Sequence, residues 1–280
     1  MSDYGGVNRQ MWDERAPAHA ASPGYSVDRF ADDPEFLSYV VQFDRPRLGD
    51  LTGLRGVHLQ CHIGTDTVSL ARLGAQMTGL DFSPVALTEA KRIAEVAGVT
   101  VDFVEADTYD AVSVLGAGRF DLVFTGVGAL CWLPDVRRWA SVVAELLAPG
   151  GRLFVREGHP MLWALDDVRD DGLLVVRYPY FETAEPMAFT EEGTYVETDV
   201  TFVHNTSYSW NHGLGQIVSA LLEHGLVLTE LVEHDSVPWE GLPGLMVRDD
   251  ATEEYYLREH RERVPLTYTL QAVKPQSSGS

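Results

Sequence analysis

Between residues 56 and 158, short apolar runs alternate with amphipathic stretches, and this alternation limits the fold more than any other feature of the chain. The pattern is typical of β-α-β units, in which parallel strands form a sheet and the intervening helices cover it. It therefore predicts an open α/β fold. The strands are expected at residues 57–61, 76–80, 100–104, 120–124 and 152–156.

Residues with capping preferences mark the ends of the helices between these strands. We expect one helix to follow Asp66, whose side chain can cap it, and to end at Gly74. Ser83 and Pro84 supply an N-cap and a proline at the first helical position of the next helix, which stops at Gly98. Both helices would connect consecutive strands, as a β-α-β pattern requires.

The regular alternation stops after the fifth predicted strand. Residues 173–181 and 194–203 look extended, and an acidic link around 182–192 joins them. We therefore predict an antiparallel hairpin, inserted into the fold at about 160–211, that serves as a lid.

Three segments are expected along the chain. Residues 1–50 would form an N-terminal helical cap over one end of the sheet, residues 51–274 the core with its insertion, and residues 275–280 a disordered polar tail. The core is completed after the insertion by a helix and two strands, expected at 214–224, 226–232 and 265–273.

Charge and apolar content restrict the partners. The chain has 42 acidic and 21 basic residues, a formal net charge of −21, which repels phosphate backbones, so a nucleic-acid partner is not expected. No apolar run of 18 residues occurs, and residues 1–15 lack the apolar segment of a signal peptide, so neither a membrane span nor secretion is expected. Cys61 and Cys131 match no metal or redox spacing, which favours free thiols and a cytoplasmic location.

Polar and small residues stand at the carboxyl ends of the predicted strands, where ligands bind in open α/β sheets. Gly64 follows the first strand and would let the backbone approach a ligand closely. Asp81 ends the second strand and can accept hydrogen bonds from ribose hydroxyls, and Asp107 ends the third, where it can accept one from an adenine amino group. Either acid alone is more often a turn or capping residue, but the two in this order fit an adenosine lying across the strand ends.

Residues 57–155 resemble the core of class I S-adenosylmethionine-dependent methyltransferases. The resemblance lies in residues 78–83 (Thr-Gly-Leu-Asp-Phe-Ser), 120–123 (Phe-Asp-Leu-Val) and 147–151 (Leu-Ala-Pro-Gly-Gly). It implies a doubly wound, Rossmann-like fold whose seven-stranded sheet is mostly parallel, with an antiparallel last strand. It also implies S-adenosylmethionine as cofactor, S-adenosylhomocysteine as product and no requirement for a metal.

The first motif departs from the family pattern. Counted without gaps, the usual acid falls on His58 and the usual glycines on Gln60, His62 and Gly64, so the last glycine alone is kept. Residues 59–67 resemble a bacterial subgroup with this altered turn (Leu-Gln-Cys-His-x-Gly-x-Asp-Thr). A dinucleotide site needs a glycine-rich turn against a pyrophosphate, so the loss of two glycines weighs against a nicotinamide cofactor.

Methyl transfer from a sulfonium is an in-line displacement that depends on alignment, and a base is needed only where the acceptor is protonated and weakly acidic. The candidate cofactor-binding residues are Cys61, His62, Gly64, Asp81, Phe82, Asp107, Thr108, Thr125 and Gly126. The catalytic candidates are Tyr25, Glu157, His159 and His212, with His159 or His212 as the hypothesised base or substrate anchor. The substrate-binding candidates are Trp163, Tyr208 and Trp210, aromatic residues of the insertion that can line an apolar pocket. For the histidines the alternative is a structural role, and for the aromatics core packing or a homodimer contact.

Three functions stay open at this point. The first is a methyltransferase that acts on an oxygen, nitrogen or carbon of a small molecule. The second is a methyltransferase for a nucleic acid or a protein; against it, residues 125–128 read Thr-Gly-Val-Gly after the fourth strand, where a nucleic-acid enzyme would carry a Pro-Pro-aromatic motif. The third is an S-adenosylmethionine-binding protein that performs another reaction or no transfer.

Overall fold

The structure is a computed structural model and describes residues 3–276 of the 280-residue chain. The strands are β1 (Arg55–Leu59), β2 (Gln76–Asp81), β3 (Asp102–Glu105), β4 (Phe120–Thr125), β5 (Leu147–Gly158), β6 (Met187–Thr190), β7 (Thr206–Ser209), β8 (Val227–His234), β9 (Ser236–Val237), β10 (Met246–Asp249), β11 (Glu254–Leu257) and β12 (Thr267–Val273). The α-helices are α1 (Tyr4–Ala21), α2 (Arg29–Asp32), α3 (Tyr39–Leu48), α4 (Thr65–Arg72), α5 (Pro84–Val96), α6 (Ala111–Leu115), α7 (Val136–Leu146), α8 (Pro160–Trp163) and α9 (Leu214–Glu223).

Among the described residues, seven strands form one sheet in the order β3-β2-β1-β4-β5-β12-β8. Strands β1 to β5 pair in parallel, whereas β12 is antiparallel to both β5 and β8. Val123 and Phe124 of β4 point to opposite faces, one packed with α7 and α9 and the other with α3 and α4. The predicted doubly wound sheet with an antiparallel last strand is confirmed. Strand order reverses between β1 and β4, so the edge beyond these two strands is where such a fold binds ligands.

The ends of α4 and α5 follow different local rules. Ser83 caps α5 as predicted, since its hydroxyl accepts a hydrogen bond from the Ala86 N–H at 3.0 Å, and Pro84 is the first helical residue. The prediction that Asp66 caps α4 is wrong, because the helix already begins at Thr65. Gly64, with φ of 76°, turns the chain into the helix, and Asp66 lies inside the first helical turn.

An antiparallel hairpin is present in the insertion, but it does not use the predicted strands. It pairs β6 with β7, so one strand lies inside the expected acidic link. Residues 173–181 contribute an isolated bridge between Val176 and Leu165, and residues 194–203 are irregular. The chain next to this second segment is held by Arg15 of α1, whose guanidinium donates to the carbonyls of Gly193 and His204. The carbonyls at the two ends of this segment therefore accept hydrogen bonds from a side chain and not from the main chain of a neighbouring strand.

A small sheet between β8 and β12 was not anticipated. Within residues 3–276 it consists of three short antiparallel strands in the order β10-β11-β9. Its strands have four residues or fewer, too few to show a clear alternation of apolar and polar residues.

The N-terminal segment forms α1, α2 and α3, and α1 packs against α5 and β7. Asn8 of α1 clamps the hairpin by a pair of 2.8 Å bonds, accepting from the N–H of Tyr208 and donating to its carbonyl. No helix among residues 3–276 is long and apolar enough to cross a membrane. Of the tail predicted to be disordered, residues 275–280, the last four residues (277–280) lie outside the described residues.

A buried ionic cluster joins the small sheet to the large one. Arg156 of β5 is inaccessible to solvent, and its guanidinium lies 3.7 Å from the ring centre of Phe43. It pairs with Glu254 of β11 at 3.1 Å and with Asp44 of α3 at 3.8 Å. Burial raises the pKa of Asp44 to about 6. Removing the cation would leave the buried Glu254 carboxylate without this ion pair and the buried Asp44 carboxylate with Arg47, 3.9 Å away, and the Thr269 hydroxyl.

We therefore expect Arg156→Met to lower the free energy of unfolding by about 3–5 kcal/mol in denaturant titrations. Arg55→Met is the matched control, because Arg55 makes a close 2.9 Å pair with Asp121 but is half exposed. An exposed pair contributes about 0–1 kcal/mol, so this variant should change little. Equal losses in the two variants would contradict the role given to the buried cluster.

Candidate functional site

The turn after β1 has an unusual backbone. Its residues alternate between ordinary and left-handed conformations, with φ of 57° at Gln60, 51° at His62 and 76° at Gly64. These are the three positions at which the resemblance places glycines. A left-handed conformation costs a residue with a side chain about 1–2 kcal/mol. The altered motif therefore keeps the backbone of a glycine-rich turn without two of its glycines.

Space explains which glycine is retained. A Cβ added to Gly64 would lie 2.8 Å from the Cβ of Ala90 and 3.2 Å from the ring of Phe103, so the turn needs a glycine there for packing as well as for its φ. The side chains at the other two positions have room and make contacts. The amide of Gln60 donates to the Ala129 carbonyl at 2.9 Å.

Asp81, at the end of β2, fixes the turn from the neighbouring strand. Its two carboxylate oxygens accept from the N–H of His62 at 2.8 Å and of Ser83 at 2.9 Å. Burial raises the pKa of Asp81 to about 6, so the group is charged at neutral pH. A carboxylate has about four acceptor positions, which leaves capacity for further bonds to a ligand.

The N-terminal helix and the insertion meet over this turn. The His62 imidazole lies 2.9 Å from the ring nitrogen of His19, whose other nitrogen lies 2.7 Å from the Thr194 hydroxyl. Burial lowers the pKa of His19 to about 2 and that of His62 to about 4, so both rings are neutral and one can donate to the other. Trp12 of α1 packs edge-on against both His62 and Trp132. Sequence patterns gave no sign of these contacts, because the partners lie 43 to 175 positions apart.

A tyrosine pair extends the same cover. The hydroxyls of Tyr25 and Tyr195 are in hydrogen-bond contact, which joins the short 3₁₀ turn after α1 to the insertion. Burial raises the pKa of Tyr25 well above its ordinary value. Its phenol therefore keeps its proton and can donate a hydrogen bond but not act as a base.

The other cofactor candidates differ in their surroundings. Thr125 and Gly126 are buried at the end of β4, next to the turn. Asp107 is exposed and accepts from the Tyr109 N–H at 2.7 Å, which is the capping role that an aspartate at a strand end often has. Thr108 beside it is buried, and Phe82 is partly buried beside Asp81. The Cys61 thiol points into the sheet, since it would lie 2.9 Å from a Cβ added to Gly79.

Glu157 organises the loop after β4. Its carboxylate accepts from the N–H groups of Gly128, Ala129, Leu130 and Gly158 at 2.6–2.8 Å. Burial raises the pKa of this carboxyl and the N–H bonds oppose the rise. With its acceptor positions filled by the main chain, the group is placed to hold the loop and has little capacity to take a proton from a substrate.

Neither histidine candidate is free to move. His212 bonds through one nitrogen to Glu182 at 2.7 Å and through the other to the carbonyls of Leu130 and Leu133. Each ring nitrogen thus has a hydrogen-bond partner within the protein. His159 caps α8 through Nδ1 and faces Glu233 of β8 through Nε2 at 3.0 Å. The geometry thus favours structural roles for both side chains.

Two of the substrate candidates come together. Trp163 and Trp210 line a small space of about 10 Å³ with Glu157 and Tyr268, room for about one water molecule. Among the described residues, the Trp210 indole nitrogen and the Tyr268 hydroxyl are buried without a hydrogen-bond partner. Tyr208, the third candidate, contacts α1, where its ring packs against that of Tyr4.

Comparison with known proteins agrees with this arrangement. Residues 57–153 match the family model of a methyltransferase domain. The chain is 34% identical to ubiquinone biosynthesis O-methyltransferases from Escherichia coli O157:H7 and from Methylobacterium sp. strain 4-46, over 47% and 51% of its length and 54% and 56% of theirs. It therefore spans about half the length of these curated relatives.

Solved structures resemble a larger part of the chain. An S-adenosylmethionine-dependent methyltransferase from Listeria monocytogenes shares 18% identity at a TM-score of 0.61, with 85% of this chain and 97% of that chain covered. An S-adenosylmethionine-dependent methyltransferase from Mesorhizobium loti shares 20% sequence identity at a TM-score of 0.58, with 84% of this chain and 98% of that chain covered. At these identities the likeness concerns the fold. The predicted fold is confirmed over most of the chain, and the match of residues 57–153 to a methyltransferase-domain model agrees with the resemblance predicted from the sequence.

The strain in the turn gives a direct prediction. Gln60→Gly should be about 1–2 kcal/mol more stable to unfolding than Gln60→Ala, because both lose the bond to Ala129 but alanine alone must hold a left-handed backbone. Gln10, exposed in the middle of α1, is the matched control. At that position Gln10→Ala should be more stable to unfolding than Gln10→Gly by about 1 kcal/mol, because alanine favours the helix. If alanine were also the more stable residue at position 60, the left-handed turn would be excluded.

Proposed function

We propose that this protein transfers a methyl group from S-adenosylmethionine to a small-molecule acceptor. The observation that carries the proposal is the left-handed turn of Gln60, His62 and Gly64, tied to Asp81 at the point where strand order reverses. The match of residues 57–153 to a methyltransferase domain supports it. A turn of this shape brings the main chain close to a ligand at the strand ends.

The predicted cofactor residues have distinct tasks in this proposal. Asp81 accepts hydrogen bonds from the ribose hydroxyls, and Asp107 with Thr108 faces the adenine. The turn and Gly126 face the amino-acid end. S-adenosylmethionine, when bound, supplies an electrophilic methyl group on a sulfonium sulfur. The contribution of the chain is to hold the acceptor in line with that group, which is the larger part of catalysis in such a displacement.

A hydroxyl oxygen of a small molecule is the acceptor we favour. Similarity to relatives that are named O-methyltransferases supports an oxygen atom as the acceptor. The closed cover of α1 and the insertion, and the net charge of −21, suit a small ligand better than a nucleic acid. Trp163, Trp210 and Tyr268 supply aromatic surface for an apolar ring, but the space they line holds about one water molecule, so these side chains would have to separate to admit a ring.

The fate of the acceptor proton follows from the same geometry. Both nitrogens of His212 contact partners within the protein, the Glu157 carboxylate accepts from main-chain N–H groups, and Tyr25 keeps its proton. We therefore propose that alignment, and not a base from this set, carries the reaction, and that the acceptor is a hydroxyl acidic enough to lose its proton to water.

Cofactor binding is tested by calorimetry with S-adenosylhomocysteine and with NAD. Asp81→Ala should weaken S-adenosylhomocysteine by about 1.5–3 kcal/mol, the scale of hydrogen bonds to a charged group. Asp102→Ala, at the exposed opposite end of β3, is the control and should bind like the unaltered protein. Binding of NAD without S-adenosylhomocysteine would show that the cofactor is wrongly assigned.

The acceptor class is tested by the release of S-adenosylhomocysteine. Turnover is expected with ring compounds that carry an acidic hydroxyl, and not with transfer RNA or with protein substrates. Turnover confined to the macromolecules would overturn the small-molecule proposal. Cofactor binding without turnover on any substrate would favour a protein that binds the cofactor for another purpose.

A further inference from the structure

A small space lies at the carboxyl end of β5, where the insertion meets the large sheet. Glu157 of β5, Tyr268 of β12 and Trp210, which follows β7, are among the residues that line it. Its volume of about 10 Å³ is room for one water molecule, or for one oxygen atom of a larger molecule. Trp210 is 3% exposed and Tyr268 is inaccessible to solvent, so whatever fills this space lies among buried side chains.

Two polar atoms in the lining of this space lack hydrogen-bond partners. The indole nitrogen of Trp210 and the hydroxyl of Tyr268 are buried, and neither has a partner among residues 3–276. Burying a polar group without a partner is unfavourable, and most buried polar atoms in proteins are paired. The two groups are therefore available to hold the same occupant.

The chemistry of the lining restricts what that occupant can be. An indole N–H donates and cannot accept, so the occupant must offer a lone pair to Trp210, which excludes an ammonium group. Burial and the Glu157 carboxylate raise the pKa of Tyr268 well above its ordinary value, so its hydroxyl keeps its proton. The same carboxylate would repel an anionic oxygen in the space. A neutral oxygen satisfies all three side chains.

The exposure of the lining residues indicates where the rest of a larger ligand would lie. Of the residues that the structure places around the space, Cys131 after β4 and Trp163 of α8 are partly exposed and the others are buried. Trp163 stacks on Trp239, with ring centres 5.6 Å apart and 16° between the planes. A ring whose oxygen substituent entered the space would therefore lie on the side of Cys131 and Trp163, next to aromatic surface.

We propose that the Trp210 N–H and the Tyr268 hydroxyl bind a neutral oxygen of the acceptor other than the oxygen that is methylated. The proposal rests on the proposed function and narrows the acceptor to compounds with at least two oxygens. An oxygen bound between these buried side chains is closed off from a methyl donor, so the methylated oxygen must be a different one. A single ordered water is the competing occupant, and it would not select between acceptors.

Ring compounds that differ by one hydroxyl test the site. Catechol, resorcinol and hydroquinone place a second hydroxyl at different positions on the ring, and phenol lacks it. We expect at least one of the three to bind the complex with S-adenosylhomocysteine about tenfold more tightly than phenol in calorimetry, the scale of one to two hydrogen bonds. Trp210→Phe and Tyr268→Phe each remove one donor and keep an aromatic ring. Each should bring that compound to within about twofold of phenol.

Tyr109→Phe is the matched control for the loss of a hydroxyl. The Tyr109 hydroxyl bonds to the main chain of Asp135, and the residue does not line the space, so this variant should keep the full preference. Thermal unfolding of each variant establishes that the proteins compared by calorimetry are folded.

The outcomes separate this proposal from the proposed function. A preference for a dihydroxy compound that is lost in Trp210→Phe and Tyr268→Phe but kept in Tyr109→Phe would support the oxygen site. If S-adenosylhomocysteine binds but all four ring compounds bind alike or not at all, or if the two variants keep the preference, the oxygen site is overturned and the cofactor assignment stands. If S-adenosylhomocysteine does not bind, the proposed function fails, and the oxygen site fails with it.

Discussion

The chain between β1 and α4 reverses direction by holding Gln60, His62 and Gly64 in left-handed conformations, and the rest of the site is arranged around that turn. Two of these residues have side chains, so the turn stores strain of about 1–2 kcal/mol at each. The turn is held in place by the hydrogen bonds that it donates to the Asp81 carboxylate at the end of β2 and to the Ala129 carbonyl in the loop after β4. Strain of this kind persists where the surroundings determine the backbone, and it is common at functional sites.

The turn also determines how the distant parts of the chain close over the sheet. His62 contacts His19 of α1, and His19 contacts Thr194 of the insertion, so the cap, the turn and the lid form one continuous polar chain. Arg15 adds bonds from α1 to the carbonyls of the insertion. The cover is thus fastened directly above the strand ends, and an acceptor bound there would be separated from water.

The sequence predicted the sheet well because its central strands are buried on both faces and read as apolar runs. It placed the hairpin strands incorrectly, because pairing there depends on Asn8 and Arg15 of α1, nearly 200 positions away. The role of Glu157 was hidden for a different reason. An acid at the end of a strand suggests catalysis, but its partners are main-chain N–H groups of the loop after β4, which no residue pattern reveals.

The departures from the glycine pattern now have a physical account. A glycine in such a turn can be required for two reasons, a left-handed φ or a lack of space for a side chain. The two reasons do not apply equally at every position. Gly64 meets both, since a Cβ there would collide with Ala90, and it is kept. At Gln60 and His62 the need is for φ alone, so a side chain costs strain but is sterically allowed. Each side chain offsets part of that cost by a contact that glycine could not make, and the one at His62 connects the turn to the lid.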